Sequence, residues 1–280
     1  MPRTRVPRTR VPRTRVTVSV LSAAALLLVG CSEAGQPTTQ EHATAPAVAL
    51  DTALTHVHGI HVRADGTVLA GTHTGLYALD SSGGTSRVGD SDDDFMGLTG
   101  VPGTDTLFSS GHPGVSSNAP NPLGLRGSDD GGTTWSDRSL GGQVDFHTLA
   151  ADGRLLVGFD GADELAVSVD AGYSWTRGAS VDAYSLAMTT AAVWASTPDG
   201  LLRSTDGAQS FTAAVDSPPL VLLAGAGDAL WGIDGSGDAW RSREGADWQR
   251  VDRVGAVDAL TAVDYETAYA ATNQALYILG

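Results

Sequence analysis

Residues 128–135 read Ser-Asp-Asp-Gly-Gly-Thr-Thr-Trp, and residues 168–175 repeat the frame Ser-x-Asp-x-Gly-x-x-Trp as Ser-Val-Asp-Ala-Gly-Tyr-Ser-Trp. Residues 204–211 keep the frame with Ala for the Gly and Phe for the Trp, and residues 242–248 keep a version one residue shorter. The aromatic residues that end these four copies are 40, 36 and 37 residues apart. A repeat of this length is typical of one blade of a β-propeller. The repeat therefore predicts an all-β fold, a single β-propeller.

Each copy suits a tight turn between two strands of a blade. Its Asp accepts hydrogen bonds from turn amides, its Gly takes a backbone conformation that other residues resist, and its aromatic side chain packs between blades. This turn resembles the Asp-box, or BNR repeat, of sialidase-like and sortilin-like β-propellers. We interpret the box residues as structural: Ser128, Asp130, Gly132, Trp135, Ser168, Asp170, Gly172, Trp175, Ser204, Asp206 and Phe211.

A second periodic feature sets the number of blades. A turn marked by Gly or Asp leads into a short strand at six places, which begin at Leu76, Leu125, Leu165, Leu202, Ala239 and Leu276. Six four-stranded blades are predicted, or seven if residues 90–121 contain more than a loop. The last blade reaches Gly280 after three strands, so we expect residues 48–54 to supply its fourth strand and close the ring.

The first 30 residues have the pattern of a bacterial lipoprotein signal peptide. Pro-Arg-Thr-Arg-Val occurs three times in residues 2–16, an uncharged apolar run follows, and Leu-Val-Gly-Cys ends at Cys31. In this pattern Cys31 carries the lipid and becomes the first residue of the mature protein. The alternative interpretation of these residues is a plain secretory signal or an uncleaved membrane anchor. Residues 31–50 predict a flexible linker, and residues 51–280 the propeller. We therefore expect an extracytoplasmic protein held by its lipid on the outer face of the cell membrane.

The charge of the chain favours some partners over others. All 17 basic residues are Arg and six of them precede Cys31, so the mature chain has 32 acidic and 11 basic residues and a formal charge of −21, against −15 for the precursor. Nucleic acid is a poor partner for such a surface, and cations are better ones. Because Cys31 is the only cysteine, its lipidation leaves no thiol for a disulfide, a metal or a nucleophile.

Histidines gather on one face of the predicted ring. The innermost strand of a propeller blade begins on the face where the second strand turns into the third. This rule brings six of the seven histidines, all except His42, to one mouth of the central channel and places the Asp-boxes on the opposite face. His56 and His58 project to the same side, because side chains alternate along a strand.

This mouth is the predicted binding site for a metal ion or a small polar molecule. Imidazole ligands suit zinc, copper or nickel, and a thioether ligand favours copper. The predicted cofactor is therefore copper or zinc. The candidate ligands are His56, His58, His73, Met96, His112 and His147.

The chain resembles bacterial glycosylhydrolase-like lipoproteins, which are also described as exo-α-sialidase-like. The resemblance covers most of residues 55–215 and rests on the boxes and on six further segments. They are residues 56–59, 71–73, 95–97, 110–113, 122–125 and 145–147. The resemblance implies a glycoside hydrolase, in which two carboxylates face one sugar bond. The best-placed candidates are Asp94, Asp145 and Asp160, with His147 or His112 as a helper in proton transfer. The Arg-Ile-Pro motif of sialidases is not seen near the first blade.

Asp-box propellers also resemble assembly factors of the photosystem-stability type, which present a surface to a protein partner and do no chemistry. The long loop 111–127 is the predicted contact surface or lid in that case. Ligand binding, glycoside hydrolysis and protein assembly all stay open from the sequence.

Overall fold

A computed structural model describes residues 44–280, so the predicted signal peptide and Cys31 lie outside the described residues. The described chain forms six antiparallel sheets of four strands each, and the prediction of a six-bladed β-propeller is confirmed. The innermost strands of successive sheets contact one another around a closed ring. The seven-blade alternative is wrong, because residues 90–121 contribute strands to one blade only. No helix in residues 44–280 is long and apolar enough to cross a membrane.

Each of the first three blades is built from its innermost strand outward in chain order. Blade 1 consists of β2 (Val57–Val62), β3 (Val68–Thr72), β4 (Gly75–Leu79) and β5 (Thr85–Val88). Blade 2 consists of β6 (Asp94–Gly100), β7 (Leu107–His112), β8 (Leu125–Ser128) and β9 (Ser136–Ser139). Blade 3 consists of β10 (Thr148–Ala151), β11 (Leu156–Phe159), β12 (Ala166–Ser168) and β13 (Thr176–Arg177).

The second half of the ring follows the same plan. Blade 4 consists of β14 (Ser185–Met188), β15 (Val193–Thr197), β16 (Gly200–Ser204) and β17 (Thr212–Ala213). Blade 5 consists of β18 (Leu220–Ala226), β19 (Ala229–Asp234), β20 (Asp238–Arg243) and β21 (Ala246–Arg253). Blade 6 consists of β22 (Ala259–Ala262), β23 (Ala268–Ala271), β24 (Ala275–Leu279) and, outermost, β1 (Ala47–Ala49).

The ring closes by joining the two ends of the described chain. Strand β1 pairs antiparallel with β24, and Val48 lies opposite Leu276. This position is at the N-terminal end of the stretch expected to close the ring. The chain already contacts blade 5 before β1, because the amide of the buried Ala45 donates to the carbonyl of Arg253 in β21. Pairing covers the outer edge of β24, which would otherwise present unpaired amides and carbonyls.

Burial follows the layering of the blades. The second strands β3, β11 and β15 are buried along their whole length, because each lies between two neighbouring blades. The outermost strands β13 and β17 are exposed. Apolar side chains pack between adjacent blades, as where Phe108 and Leu125 of blade 2 meet Phe146 and Leu156 of blade 3. Each blade is therefore stabilised mainly by its neighbours in the ring.

The three complete Asp-boxes form the same hydrogen-bonded turn between third and fourth strands. In the second copy the Ser168 hydroxyl accepts the amide of Gly172 at 2.9 Å and donates to Asp170 Oδ1 at 2.8 Å. The carboxylate of Asp170 accepts the amide and the hydroxyl of Ser174 at 2.9 and 2.6 Å. Equivalent bonds occur around Asp130 and Asp206. The box residues are thus occupied in holding the turn together.

The fourth, shortened copy does not form an Asp-box. Arg243 pairs directly with Ala246, which leaves a two-residue hairpin turn with positive φ at Glu244 and Gly245. The Glu244 carboxylate instead accepts the Thr189 hydroxyl at 2.5 Å and thereby ties blade 5 to blade 4. Glu244 thus stands at the Asp position of the frame but bonds to the neighbouring blade and not to its own turn.

Candidate functional site

Five histidines lie at one mouth of the propeller, on the side opposite the Asp-boxes. His56 precedes β2 and His58 lies within it, while His73 follows β3 and His112 ends β7. His147 directly precedes β10. All five therefore come from blades 1 to 3, so the imidazoles occupy one half of the mouth.

The first cluster joins blade 1 to blade 2. His58 Nε2 lies 3.2 Å from His73 Nδ1, and these two nitrogens lie 3.4 and 2.9 Å from the two carboxylate oxygens of Asp94. One ligand atom from each of the three residues falls within 4.8 Å of the other two. His56 does not belong to this group, but its ring stacks on that of His58 with 4.6 Å between centroids.

Electrostatics favour the neutral form of the central imidazole. Burial lowers the pKa of His58 to about 4, against an opposing effect of Asp94. The neighbouring rings of His56, His73 and His147 lower this pKa further, because they disfavour another positive charge. At neutral pH the His58 ring is uncharged and one of its nitrogens has a free lone pair.

The second cluster joins blade 2 to blade 3. His112 Nε2 and His147 Nε2 each lie 3.3 Å from the same oxygen, Oδ2 of Asp145. The other ring nitrogen of His112 is 2.8 Å from the side-chain oxygen of Asn121, in the loop after β7. Sequence reasoning missed Asn121, and the signal available was its place in the loop following His112.

The carboxylates of both clusters have an unused oxygen. The Asp94 side chain is 18% exposed and that of Asp145 is 16% exposed. Within residues 44–280, Oδ1 of each is buried and accepts no hydrogen bond. A buried carboxylate oxygen without a donor is costly, so each cluster has capacity for a cation or a donor.

Three other residues were expected at the mouth. His61 is 3% exposed, and its Nε2 lies 2.9 Å from the Thr104 carbonyl in the turn between β6 and β7, so its expected place at the mouth is wrong. It lies three residues further along β2 than His58, at the other end of the strand. Asp160 accepts the amide of Ala162 in its own turn. Met96 is half-buried in β6, two residues after Asp94.

The mouth opens into a channel along the axis of the ring. A cavity of about 320 Å³ is lined by the innermost strands, with His58 and His147 among the lining residues of blades 1 and 3. Thr148, Ser185 and Asp258 add polar groups to the wall. The channel is large enough for a small polar ligand as well as an ion.

No protein-family model matches the chain, and no curated protein matches it. Three solved propeller structures are similar in fold. A gluconolactonase from Xanthomonas campestris, XC5397, aligns at 13% identity over 86% of this chain and 99% of its own, with a TM-score of 0.61. A streptogramin B lyase aligns at 13% identity over 84% and 96%, with a TM-score of 0.56. YCF48 bound to D1 peptide aligns at 12% identity over 86% and 96%, with a TM-score of 0.53.

These structures share a β-propeller fold with the chain and differ in function among themselves. At such low identity the likeness concerns the fold alone. The chain is therefore a β-propeller protein, while its assignment to the sialidase-like or BNR family stays a prediction.

Proposed function

We propose that the protein binds a transition metal ion at the mouth, held by His58, His73 and Asp94. The observation that carries the proposal is the convergence of two imidazole nitrogens and a carboxylate oxygen within 4.8 Å of one another. Metal bonds of 2.0–2.1 Å at tetrahedral angles place ligand atoms about 3.3 Å apart. The two imidazole nitrogens are 3.2 Å apart, which is close to that value, and they lie 3.4 and 2.9 Å from Oδ1 and Oδ2 of Asp94 respectively.

The chemistry of the donors also supports a metal ion. Because His58 is neutral at pH 7, an ion does not have to displace a proton from it. The buried Oδ1 of Asp94 has no donor within residues 44–280, and a cation would satisfy it. The acidic chain attracts cations in general. Two imidazoles and a carboxylate suit zinc or copper(II), which are therefore the proposed ions.

The proposal is tested by titrating the purified, metal-stripped protein with Zn²⁺ and with Cu²⁺ in a calorimeter. We expect uptake by the wild-type protein and a loss of affinity of at least about tenfold in His73→Ala and Asp94→Asn, since even an outer-shell partner of a metal ligand contributes about 10–100-fold. Asp160→Asn is the matched control, because Asp160 lies at the same mouth but is bonded to its own turn. Circular dichroism verifies that each variant is folded. Equal affinity in all four proteins, or no uptake by any of them, would contradict the proposal.

We also propose that the protein is anchored to the outer face of the cell membrane through a lipid on Cys31. The support is the basic repeat, apolar run and Leu-Val-Gly-Cys sequence before the propeller. The expected result is that the wild-type protein partitions with membranes and incorporates labelled palmitate, whereas Cys31→Ser does neither. Equal labelling and partitioning of the two proteins would refute a lipid on Cys31.

A further inference from the structure

Two imidazoles line the channel at the same level of the ring. His58 and His147 each stand four residues before the end of the innermost strand, in blades 1 and 3 respectively. Both line the cavity of about 320 Å³. Burial is the largest cause of the low pKa of His58, and a positive charge on His147 adds to it, so the two rings are close enough to interact. The mouth therefore brings a further imidazole near the proposed metal position.

His147 is available for a role other than metal binding. Within residues 44–280, the ligand atoms that converge within 4.8 Å belong to His58, His73 and Asp94. The Nε2 atom of His147 instead lies 3.3 Å from Oδ2 of Asp145, and its side chain is 55% exposed. A carboxylate beside one ring nitrogen favours the tautomer with the proton on that nitrogen. The other nitrogen, Nδ1 of His147, is then free to accept a proton.

The proposed metal position has three protein ligands. Zinc is usually four-coordinate, and a zinc site with three protein ligands keeps its fourth position for water or a substrate. An ion with such an open position polarises a carbonyl oxygen and activates water. The side chain of His73 is 46% exposed, so the position is open to solvent. Three ligands with a neighbouring base are the parts of a hydrolytic site.

The half of the mouth formed by blades 4 to 6 has no histidine. Tyr184, Leu222 and Asp258 stand there, each four residues before the end of the innermost strand, as His58 and His147 do in their own blades. Both Tyr184 and Asp258 are exposed. This half therefore leaves room for a substrate beside the two imidazoles.

The polarity and charge of the channel favour one class of substrate. Ile60, Leu98 and Leu260 give its wall an apolar surface, and Asp258 adds a carboxylate. The whole chain has a formal charge of −15 at pH 7. This charge disfavours anionic substrates such as phosphate esters. An uncharged carboxylic ester with a small apolar acyl group suits both the wall and the volume of the cavity.

From these observations we infer that the protein hydrolyses small uncharged carboxylic esters at the mouth, with zinc held by His58, His73 and Asp94 and with His147 as the general base. The inference rests on the proposed function, because the ion polarises the ester carbonyl. Nδ1 of His147 takes a proton from a water molecule, whose oxygen forms a bond to the carbonyl carbon. The bond from this carbon to the alcohol oxygen then breaks, and the alcohol oxygen takes the proton from His147. A carboxylic acid and an alcohol leave the site. Asp145 is a positioning residue, because it orients His147 and does not touch the ester.

The experiment uses the full-length purified protein, stripped of metal and reloaded with Zn²⁺. Release of nitrophenol is measured with p-nitrophenyl butyrate as the uncharged ester and p-nitrophenyl phosphate as the anionic comparison. We expect zinc-dependent hydrolysis of the butyrate only, and loss of both zinc and hydrolysis in His73→Ala. His147→Gln should keep its zinc and lose at least about 100-fold in kcat, which is the usual contribution of a general base. Asp145→Asn should lower kcat and leave KM unchanged.

The outcomes separate this inference from the proposed function. Zinc uptake without zinc-dependent hydrolysis overturns the inference and leaves the proposed function intact, whereas no uptake of any ion overturns both. Undiminished kcat in His147→Gln overturns the role of His147, and so does loss of zinc from this variant, because His147 would then be a ligand. Equal rates with the butyrate and the phosphate overturn the substrate class. Asp160→Asn is the control, because Asp160 is bonded to its own turn, and circular dichroism verifies the folding of each variant.

Discussion

Substituting Gly172 by Ala tests how the Asp-box fastens one blade to the next. Gly172 has φ of +85°, and a β-carbon added to it would lie 1.9 Å from Leu125 Cδ2 in the preceding blade. Leu125 is fully buried, so it has little room to move. The left-handed backbone costs a residue with a β-carbon about 1–2 kcal/mol. Overpacking of a core costs about 1–3 kcal/mol in addition. We expect Gly172→Ala to lower the free energy of unfolding by about 2–5 kcal/mol.

A matched variant separates the two contributions. Gly207 also has positive φ, at +75°, but an added β-carbon would have no neighbour within 4 Å. Gly207→Ala should therefore lose only the backbone contribution, about 1–2 kcal/mol. The third box has Ala208, with φ of +65°, where the second has Gly172, so the turn itself tolerates a methyl group.

The assay is equilibrium unfolding in guanidinium chloride, followed by tryptophan fluorescence and circular dichroism. Midpoints are compared at a common denaturant slope, so that a shift reports stability. Equal shifts for Gly172→Ala and Gly207→Ala would refute the reasoning, because contact with Leu125 would then contribute nothing. A larger shift for Gly207→Ala would refute it as well.

Two further predictions concern acid and ring closure. Hydrogen bonds from Ser174, and to a lesser extent from Ser168, lower the pKa of Asp170 from 3.8 to about 2. The stability that these bonds confer is therefore present above about pH 4 and is lost as pH falls through 2. The melting temperature should fall less steeply between pH 5 and 2 in Asp170→Asn than in the wild-type protein, and parallel curves for the two proteins would contradict this prediction. In an antiparallel pair, the residues of one strand point their amides alternately toward and away from the partner strand. The amide of Ile278 donates to the Pro46 carbonyl, and the amide of Leu50 donates to the Gln274 carbonyl. The amide of Val48, which lies between these two bonds, therefore points to β24, whereas the amide of Ala49 points away. Val48→Pro should therefore lower the melting temperature and Ala49→Pro should leave it nearly unchanged, and a reversed order would disprove this register.

The fold was predictable because its signals are local. The Ser, Asp and Gly of a box bond to one another within a few residues, as Ser168, Asp170 and Gly172 do, so the turn can be recognised in any blade that retains them. The short fourth copy shows the limit of such signals, because Glu244 stands at its Asp position and bonds to blade 4 and not to its own turn.

Residue spacing was enough to establish that six repeated units form a ring and that most histidines lie on the face opposite the boxes. The reason is that strand order and side-chain alternation follow from such spacing alone. The packing of the blades was needed to show that His61 turns to the carbonyl of Thr104 and that the remaining donors form two clusters, around Asp94 and Asp145. The physical reason is that these contacts join neighbouring blades, and their distances depend on the rotation between blades and on strand bulges such as the one after Asp94.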